Sequence, residues 1–286
     1  MLLSAFCFAL MGAFTHGLSG AFDWRIIAFA RASINFIFVA ALARSTGKPL
    51  IFFSAPASLW NRSVAGTLSI FGTFYVFSKL PIPEATSILN TMPLWMALLV
   101  AFVSKETLPR SIWIAVVCGI AGVFFIQQPH FDSGNIAVLI GLSGAFFASI
   151  AMYNLHRTKN IHPTTVVAHF TLVASIITFF VMLPKLGTLF NNAHYSPAII
   201  IALIGVGASG TVAQLAMTRA YVTGNPTLNS SVGLAQVVFA TLIDILLWNR
   251  SFDAGTVIGI VLITVPTTLF MAREQIRKII NYEPTV

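Results

Sequence analysis

The stretch SILNTMPLWMALLVAFVSKETLPR, residues 87–110, is almost all apolar until its last six residues, yet Asn90, Thr91 and Pro93 lie in its first third. A proline inside a helix removes one backbone donor and crowds the carbonyl four residues back, here that of Leu89. In lipid such an oxygen costs several kcal/mol unless a side chain, water or solute meets it. Asn90 and Thr91 are close enough to help. Two readings stand at this point: a kink that serves packing alone, or a kinked polar wall turned toward a cavity.

The rest of the chain decides what kind of helix this is. Of 286 residues, 57% are hydrophobic and 8% charged, where a soluble domain is about a quarter charged. Too little polar surface exists to cover a soluble protein of this length. A bilayer core of roughly 30 Å takes about 20 apolar residues in a helix. Runs of that order occur at about 2–19, 25–43, 63–80, 85–104, 110–127, 134–154, 163–183, 197–220, 227–247 and 254–272, separated by turn-rich or charged breaks. The opening run has neither a basic n-region nor a small-residue cleavage site and reads as a retained span.

The net charge of +8 is spread over the short gaps between spans, which excludes a nucleic-acid surface and points to topology. With the amino terminus in the cytoplasm, the inner segments hold Arg44, Lys48, Arg62, Lys105, Arg110, Arg157, Lys159, Arg219, Arg273, Arg277 and Lys278. The outer ones hold Arg25, Lys79, Lys185 and Arg250, and Arg31 lies within the second span. Eleven against four predicts that both termini are cytoplasmic. The two cysteines, Cys7 and Cys118, sit inside apolar runs and form no metal or redox motif.

Ten spans suggest a duplicated unit of five, and an odd unit must enter the membrane from opposite sides in its two copies. Shifting the opening segment by 143 residues lays it on NSSVGLAQVVFATLIDILLWNRSFD, residues 229–253, with identity only at Ser87/Ser230, Ala97/Ala240 and Leu99/Leu242. Helical geometry says more. Thr86, Asn90, Pro93, Ala97, Ala101 and Ser104 share one face of span 4, and Asn229, Gly233, Gln236, Ala240 and Asp244 share one face of span 9. Small and polar stripes belong at helix interfaces and away from lipid, so the two spans are expected to line a common interior.

Span 8 repeats the pattern, with Gly207, Thr211, Gln214, Thr218 and Tyr221 on one face. An amide deep in hydrocarbon is expensive, which favours a cavity over a mere interhelical bond for Gln214. Tyr75 of span 3, and Met11 and Thr15 of span 1, are further lining candidates. The ionisable residues inside spans are His16, Arg31, His169 and Asp244. Arg31 is expected to face the bundle and meet a carbonyl or an acid. Asp244 is a candidate proton or cation site about a turn from the outer end of its span, with solvation at the interface as the alternative. His16 is read either as a group that could titrate near neutral pH or, in preference, as a buried neutral histidine. No HExxH, GxSxG, P-loop or paired carboxylate occurs, so neither an enzyme nor a cofactor or metal site is expected.

At this point the chain resembles the drug/metabolite transporter superfamily, specifically the EamA-type permeases. The resemblance is carried by FSKLPIPEATSILNTMPLWMALLVAFVSKETLPRSIWIAVVCGIAGVFFIQQP, residues 77–129, through Ala85, Pro93, Glu106 and Ala121–Gly122, and by AFARASINF of span 2 through Arg31. The second half departs from it: Gln236 stands where the proline would be, and Asn249–Arg250 replaces the terminal glutamate. The resemblance implies an all-α integral membrane protein of ten transmembrane helices in two inverted five-helix repeats, residues 1–130 and 131–286. It implies a cavity formed by spans 1, 3, 4, 6, 8 and 9, and a solute carrier of a bacterial cytoplasmic (inner) membrane. Amino acids, nucleoside-like compounds and S-adenosylmethionine are among the solutes it suggests.

The expectation is therefore an alternating-access permease of a small polar or amphipathic metabolite. Tyr75, Asn90, Pro93, Gln214, Thr218 and Gln236 would form the binding site, and His16, Arg31 or Asp244 would handle charge. The partners considered are the solute, the bilayer, a coupling proton or counter-solute, and a second copy in a homodimer, with no nucleic acid. An intramembrane enzyme and a channel are the rival readings.

Overall fold

Three helices begin at a side chain that caps their first turn. The Asp23 carboxylate accepts the Arg25 N–H at 2.9 Å ahead of α2 (Trp24–Ser45). The His162 ring accepts the Thr164 N–H at 3.3 Å ahead of α7 (Pro163–Met182), and the Asn225 side chain accepts the Leu228 N–H at 3.0 Å ahead of the first piece of α9 (Pro226–Gly233). In the last two cases a proline follows at the first helical position, where its missing donor is not needed. At the other ends, Gly47 (φ 63°) stops α2 and Lys105 (φ 55°) stops α4 (Ser87–Val103) in the left-handed region.

The structure, a computed structural model, describes residues 1–18, 21–79, 87–105, 107–127, 136–187, 197–248 and 254–280. The remaining helices are α1 (Leu2–Leu18), α3 (Ala57–Lys79), α4 (Ser87–Val103), α5 (Arg110–Gln127), α6 (Ile136–His156), α8 (Pro197–Thr223) and α10 (Ala254–Ile280). The ninth, α9, comes in two pieces, Pro226–Gly233 and Ala235–Trp248. Among the described residues, five stretches are long and apolar enough to cross a membrane: Trp24–Ser45, Ile136–Leu155, Pro163–Lys185, Pro197–Thr223 and Pro226–Ile243. Shorter apolar helices occupy Leu2–Thr15, Ser87–Val103, Arg110–Phe125 and Ala254–Pro266, and α3 completes the ten.

Packing obeys the inverted repeat. Moving five helices along, α3 on α6 becomes α8 on α1, α4 on α6 becomes α9 on α1, and α3 on α7 becomes α8 on α2; all six contacts are made. The pairs α2–α7 and α5–α10, which map onto themselves, are made as well. Contact between α3 and α6 runs through bare backbone: a Cβ built on Gly72 would lie 2.7 Å from the Gly144 Cα. In the matching pair, α1 side chains close on α8 instead, Phe14 against Gly205 and Met11 against Gly210.

The core is uneven along the bundle. Its broadest apolar cluster joins the first turns of α3 and α7 (Leu59, Ala65, Val166) to the last turns of α4, α6 and α8 (Met96, Val100, Leu155, Tyr221). This is the end that carries the first residue of α1. At the opposite end the described residues form separate clusters, Leu18/Ile27/Val206 and Val76/Ile88/Ala137.

One boundary expectation needs correction. Span 3 starts at Ala57, not near residue 63, so Arg62 belongs to a helix and not to a loop. It is 1% exposed. Helix propensity carries the turn ASLWNR before the apolar run begins, and the apolar run alone hides it.

Candidate functional site

Two helices that cross the interior are interrupted, and at equivalent places. In α4 the regular helix restarts at Met92 after a turn at Asn90 and Thr91; in α9 it restarts at Ala235 after Leu234. Two backbone hydrogen bonds recur at the two interruptions under the 143-residue shift. The Thr91 N–H donates to the Ile88 carbonyl (3.1 Å) as the Leu234 N–H donates to Ser231 (3.1 Å). The Leu94 N–H donates to Thr91 (3.0 Å) as Val237 donates to Leu234 (2.9 Å). Each is a tightened three-residue step. In α4 the cause is Pro93, which cannot donate to Leu89. Gln236 holds the corresponding place in α9, so no proline accounts for the second interruption.

Counting 1.5 Å per residue from the end that bears the large cluster, the two interruptions lie roughly 12–18 Å deep, near the middle of the bilayer. The polar face of α8 crosses the same level. Thr211 donates its hydroxyl to the Gly207 carbonyl (2.8 Å) and lies 3.3 Å from the Asn35 amide oxygen of α2. One turn on, Gln214 is 3% exposed, and its amide nitrogen has no hydrogen-bond partner. Thr218, wholly buried, likewise has an unpartnered hydroxyl. Tyr221 is also wholly buried, with its hydroxyl toward Ser230. Met11 and Asn35 close over Gly210, where a Cβ would meet both side chains near 3.1 Å.

The other expected residues fall in different places. Asn90 is half-buried at the α4 interruption and Pro93 is buried beside it. Thr91 spends its hydroxyl on the Ile88 carbonyl at 2.6 Å. Trp95, a turn further, sets its ring against Phe146 of α6 (5.5 Å) and leaves its indole N–H buried without a partner. Tyr75 packs beside Val76, Ile88 and Ala137, about 27 Å along α3 and far from the middle layer. Gln236 is exposed, and it points roughly 80–120° around the helix from the exposed Leu242 and Leu246. Asn229, part of the expected stripe, caps α8 by donating to the Ala220 carbonyl at 2.7 Å.

Of the charge candidates, Arg31 is half-buried with its guanidinium 5.9 Å from the Phe8 ring, which is what the described residues offer it in place of the carbonyl or acid expected. The side chains of His16 and Asp244 lie outside the described residues, as do Thr86 and Glu106. Among the described residues no group of three or more His, Cys, Asp or Glu could hold a metal ion.

Sequence reasoning passed over Asn35, whose partner is 176 residues away. It also passed over the Ser104–Tyr153 hydroxyl pair (2.7 Å) that ties α4 to α6, and over the meeting of Arg62 and His169, each named singly, in a buried cluster between α3 and α7. The polarity of Asn35 was visible, but a lone amide in ARASINF gives no partner by periodicity.

Comparison with known proteins places this arrangement. The model of the EamA-like transporter family matches residues 1–128 and 135–272. The pseudopaline exporter CntI of Pseudomonas aeruginosa is 25% identical over 268 residues, covering 92% of this chain and 91% of that one. The S-adenosylmethionine uptake transporter of Rickettsia bellii is 24% identical over 254 residues, covering 87% and 84%. A solved crystal structure superposes with a TM-score of 0.80 over 96% of both chains at 17% identity, a likeness of fold.

Proposed function

The chain belongs to the EamA-like transporter family, and from that premise we propose that this membrane transporter works by alternating access on a small polar or amphipathic metabolite. The single observation that carries the reading is the pair of helix interruptions, set at equivalent residues of the two repeats and both toward the middle of the bilayer. Interrupted helices near the midplane mark solute sites in transporters built from inverted repeats, because unwound backbone offers hydrogen bonds that regular helix keeps to itself. The buried, unpartnered nitrogen of Gln214 and hydroxyl of Thr218 lie beside that layer. Each awaits an acceptor or donor that a solute can supply.

The proposed site is accordingly Asn90, Pro93, Gln214, Thr218 and Gln236, with Asn35 and Trp95 added and Tyr75 serving as an outer contact. Repeats 1–130 and 131–286 would rock about it. The cluster around Met96, Leu155 and Tyr221 fits a closed gate at the end bearing the amino terminus, the end that the bias of Lys and Arg favours as the cytoplasmic side of a bacterial inner membrane. The separate clusters at the other end suit a cleft open outward, and the exposure of Gln236 away from Leu242 and Leu246 fits a residue facing that cleft. Charge coupling, if the cycle uses it, falls to His16, Arg31 or Asp244.

The relatives are named for opposite directions, one an exporter and one an uptake transporter, so family membership leaves direction to experiment. S-adenosylmethionine, amino acids and nucleoside-like compounds are the first solutes to try. In a thermal-melting screen of the purified protein against such a panel, at least one compound should raise the melting temperature of wild type and not of Gln214→Ala. A compound that protects both equally would remove Gln214 from the site.

A further inference from the structure

A second polar cluster lies outside the proposed solute site, between α3 and α7. Arg62 and His169 are each 1% exposed. The Arg62 guanidinium lies 3.7 Å from the centre of the Phe170 ring, and Gly66 leaves room for the pair, since a Cβ there would come within 2.5 Å of Nη1 and 2.8 Å of the ring. Its Nε and Nη1 have no hydrogen-bond partner. His169 is held at Nδ1 by the Ser63 hydroxyl (2.8 Å) and by the edge of Trp60 (4.7 Å). The Phe52 carbonyl faces the ring, yet Nε2 forms no hydrogen bond.

A guanidinium stays charged in a protein, and a buried charge without a counter-ion costs several kcal/mol. The Phe170 face returns about 2 kcal/mol of that. The one carboxylate among the described side chains, Asp23, caps α2 at the opposite end of the bundle. With the Ser63 proton on Nδ1, the imidazole carries its own proton at Nε2, the tautomer that suits a facing carbonyl. The unsatisfied groups of the cluster are then all donors. What completes such a set is an acceptor of negative charge.

We propose that Arg62 and His169 form an oxyanion site of the phosphate class. By helix count they lie about 8–9 Å inside the starts of α3 and α7, close to the headgroup level. The approach is basic. Lys48 is exposed next to Pro49, whose carbonyl accepts the Thr165 hydroxyl at 2.8 Å, one turn above His169 on α7. Trp60, 37% exposed, sits at the rim. In the structure the guanidinium is stowed on Phe170, and the anion engages it as it lifts off the ring. Phosphate oxygens of this kind come from a soluble phosphate or from an anionic phospholipid, and the site is chemically open to both.

The test uses the full chain in two arms. In detergent, melting is compared in sodium phosphate and in sodium chloride at equal ionic strength. In nanodiscs, it is compared in phosphatidylcholine with and without phosphatidylglycerol. Wild type should gain about 3 °C or more in at least one arm. Arg62→Met should lose that gain and Arg62→Lys should keep part of it. A gain in detergent alone assigns the site to a soluble phosphate; a gain in nanodiscs alone assigns it to lipid. His169→Gln, which should also reduce the gain, serves if Arg62→Met does not fold. Equal responses of wild type, Arg62→Met and His169→Gln, or no response in either arm, overturn the proposal.

Discussion

The fourth and ninth helices make the same interruption from different chemistry. In α4 a proline removes the donor and two polar residues precede it; in α9 the corresponding places hold Gln236 and the pair Gly233–Leu234. Only three of 25 aligned residues agree between the segments 85–109 and 228–252, yet two backbone hydrogen bonds recur at matching positions of the interruptions. The repeat therefore conserves backbone path while the side chains that line it diverge. A symmetric scaffold can rock between two states, and an asymmetric lining can recognise a solute that has no symmetry.

The difference between halves extends to packing, and that is where substitution should act most strongly. Because α3 and α6 touch through Gly72 and Gly144 backbone, Gly144→Leu should cost about 3 kcal/mol or more. Melting in detergent would read this as loss of a folded peak in size exclusion or a large fall in melting temperature. The matching contact of α1 on α8 is made by the Phe14 side chain, and Phe14→Leu should cost only about 1 kcal/mol. Equal costs would mean that the two interfaces are built alike after all.

Next in size is Pro93→Ala. Restoring the donor allows α4 to run on as regular helix, so transport should fall by roughly threefold or more while stability holds or rises. Unchanged transport would make the kink a packing feature alone. The smallest expected effect on stability comes from Gln236→Pro, which gives the second half the proline of the first. Gln236 is the second residue of its helical piece, where the N–H has no partner within the helix, so the change should stay within about 1 kcal/mol. A collapse of the fold would show that the two interruptions are not equivalent.

Much of this architecture was legible in the sequence because membranes impose simple rules: runs of bilayer length, prolines after capping residues, charge in the gaps. The polar face of α8 was legible too, since Thr211, Gln214, Thr218 and Tyr221 repeat at helical spacing, and all four proved buried. What stayed hidden depends on distant partners. Arg62 reads as one more loop charge until Phe170 and Gly66 supply its slot. Asn35 needs Thr211, and the α9 interruption has no proline to announce it. Asn229 shows the converse, a residue on the right face whose amide is spent on capping α8.

The central claim is that a solute is carried through the layer where the interrupted helices meet Gln214 and Thr218. Counterflow in proteoliposomes tests it most directly: vesicles preloaded with the unlabelled solute identified by the melting screen are diluted into its labelled form. The account predicts a saturable overshoot for wild type, cut about tenfold or more in Gln214→Ala and Thr218→Val as buried hydrogen bonds to the solute are lost. Flux that neither saturates nor overshoots, or an overshoot that both variants leave intact, would contradict it.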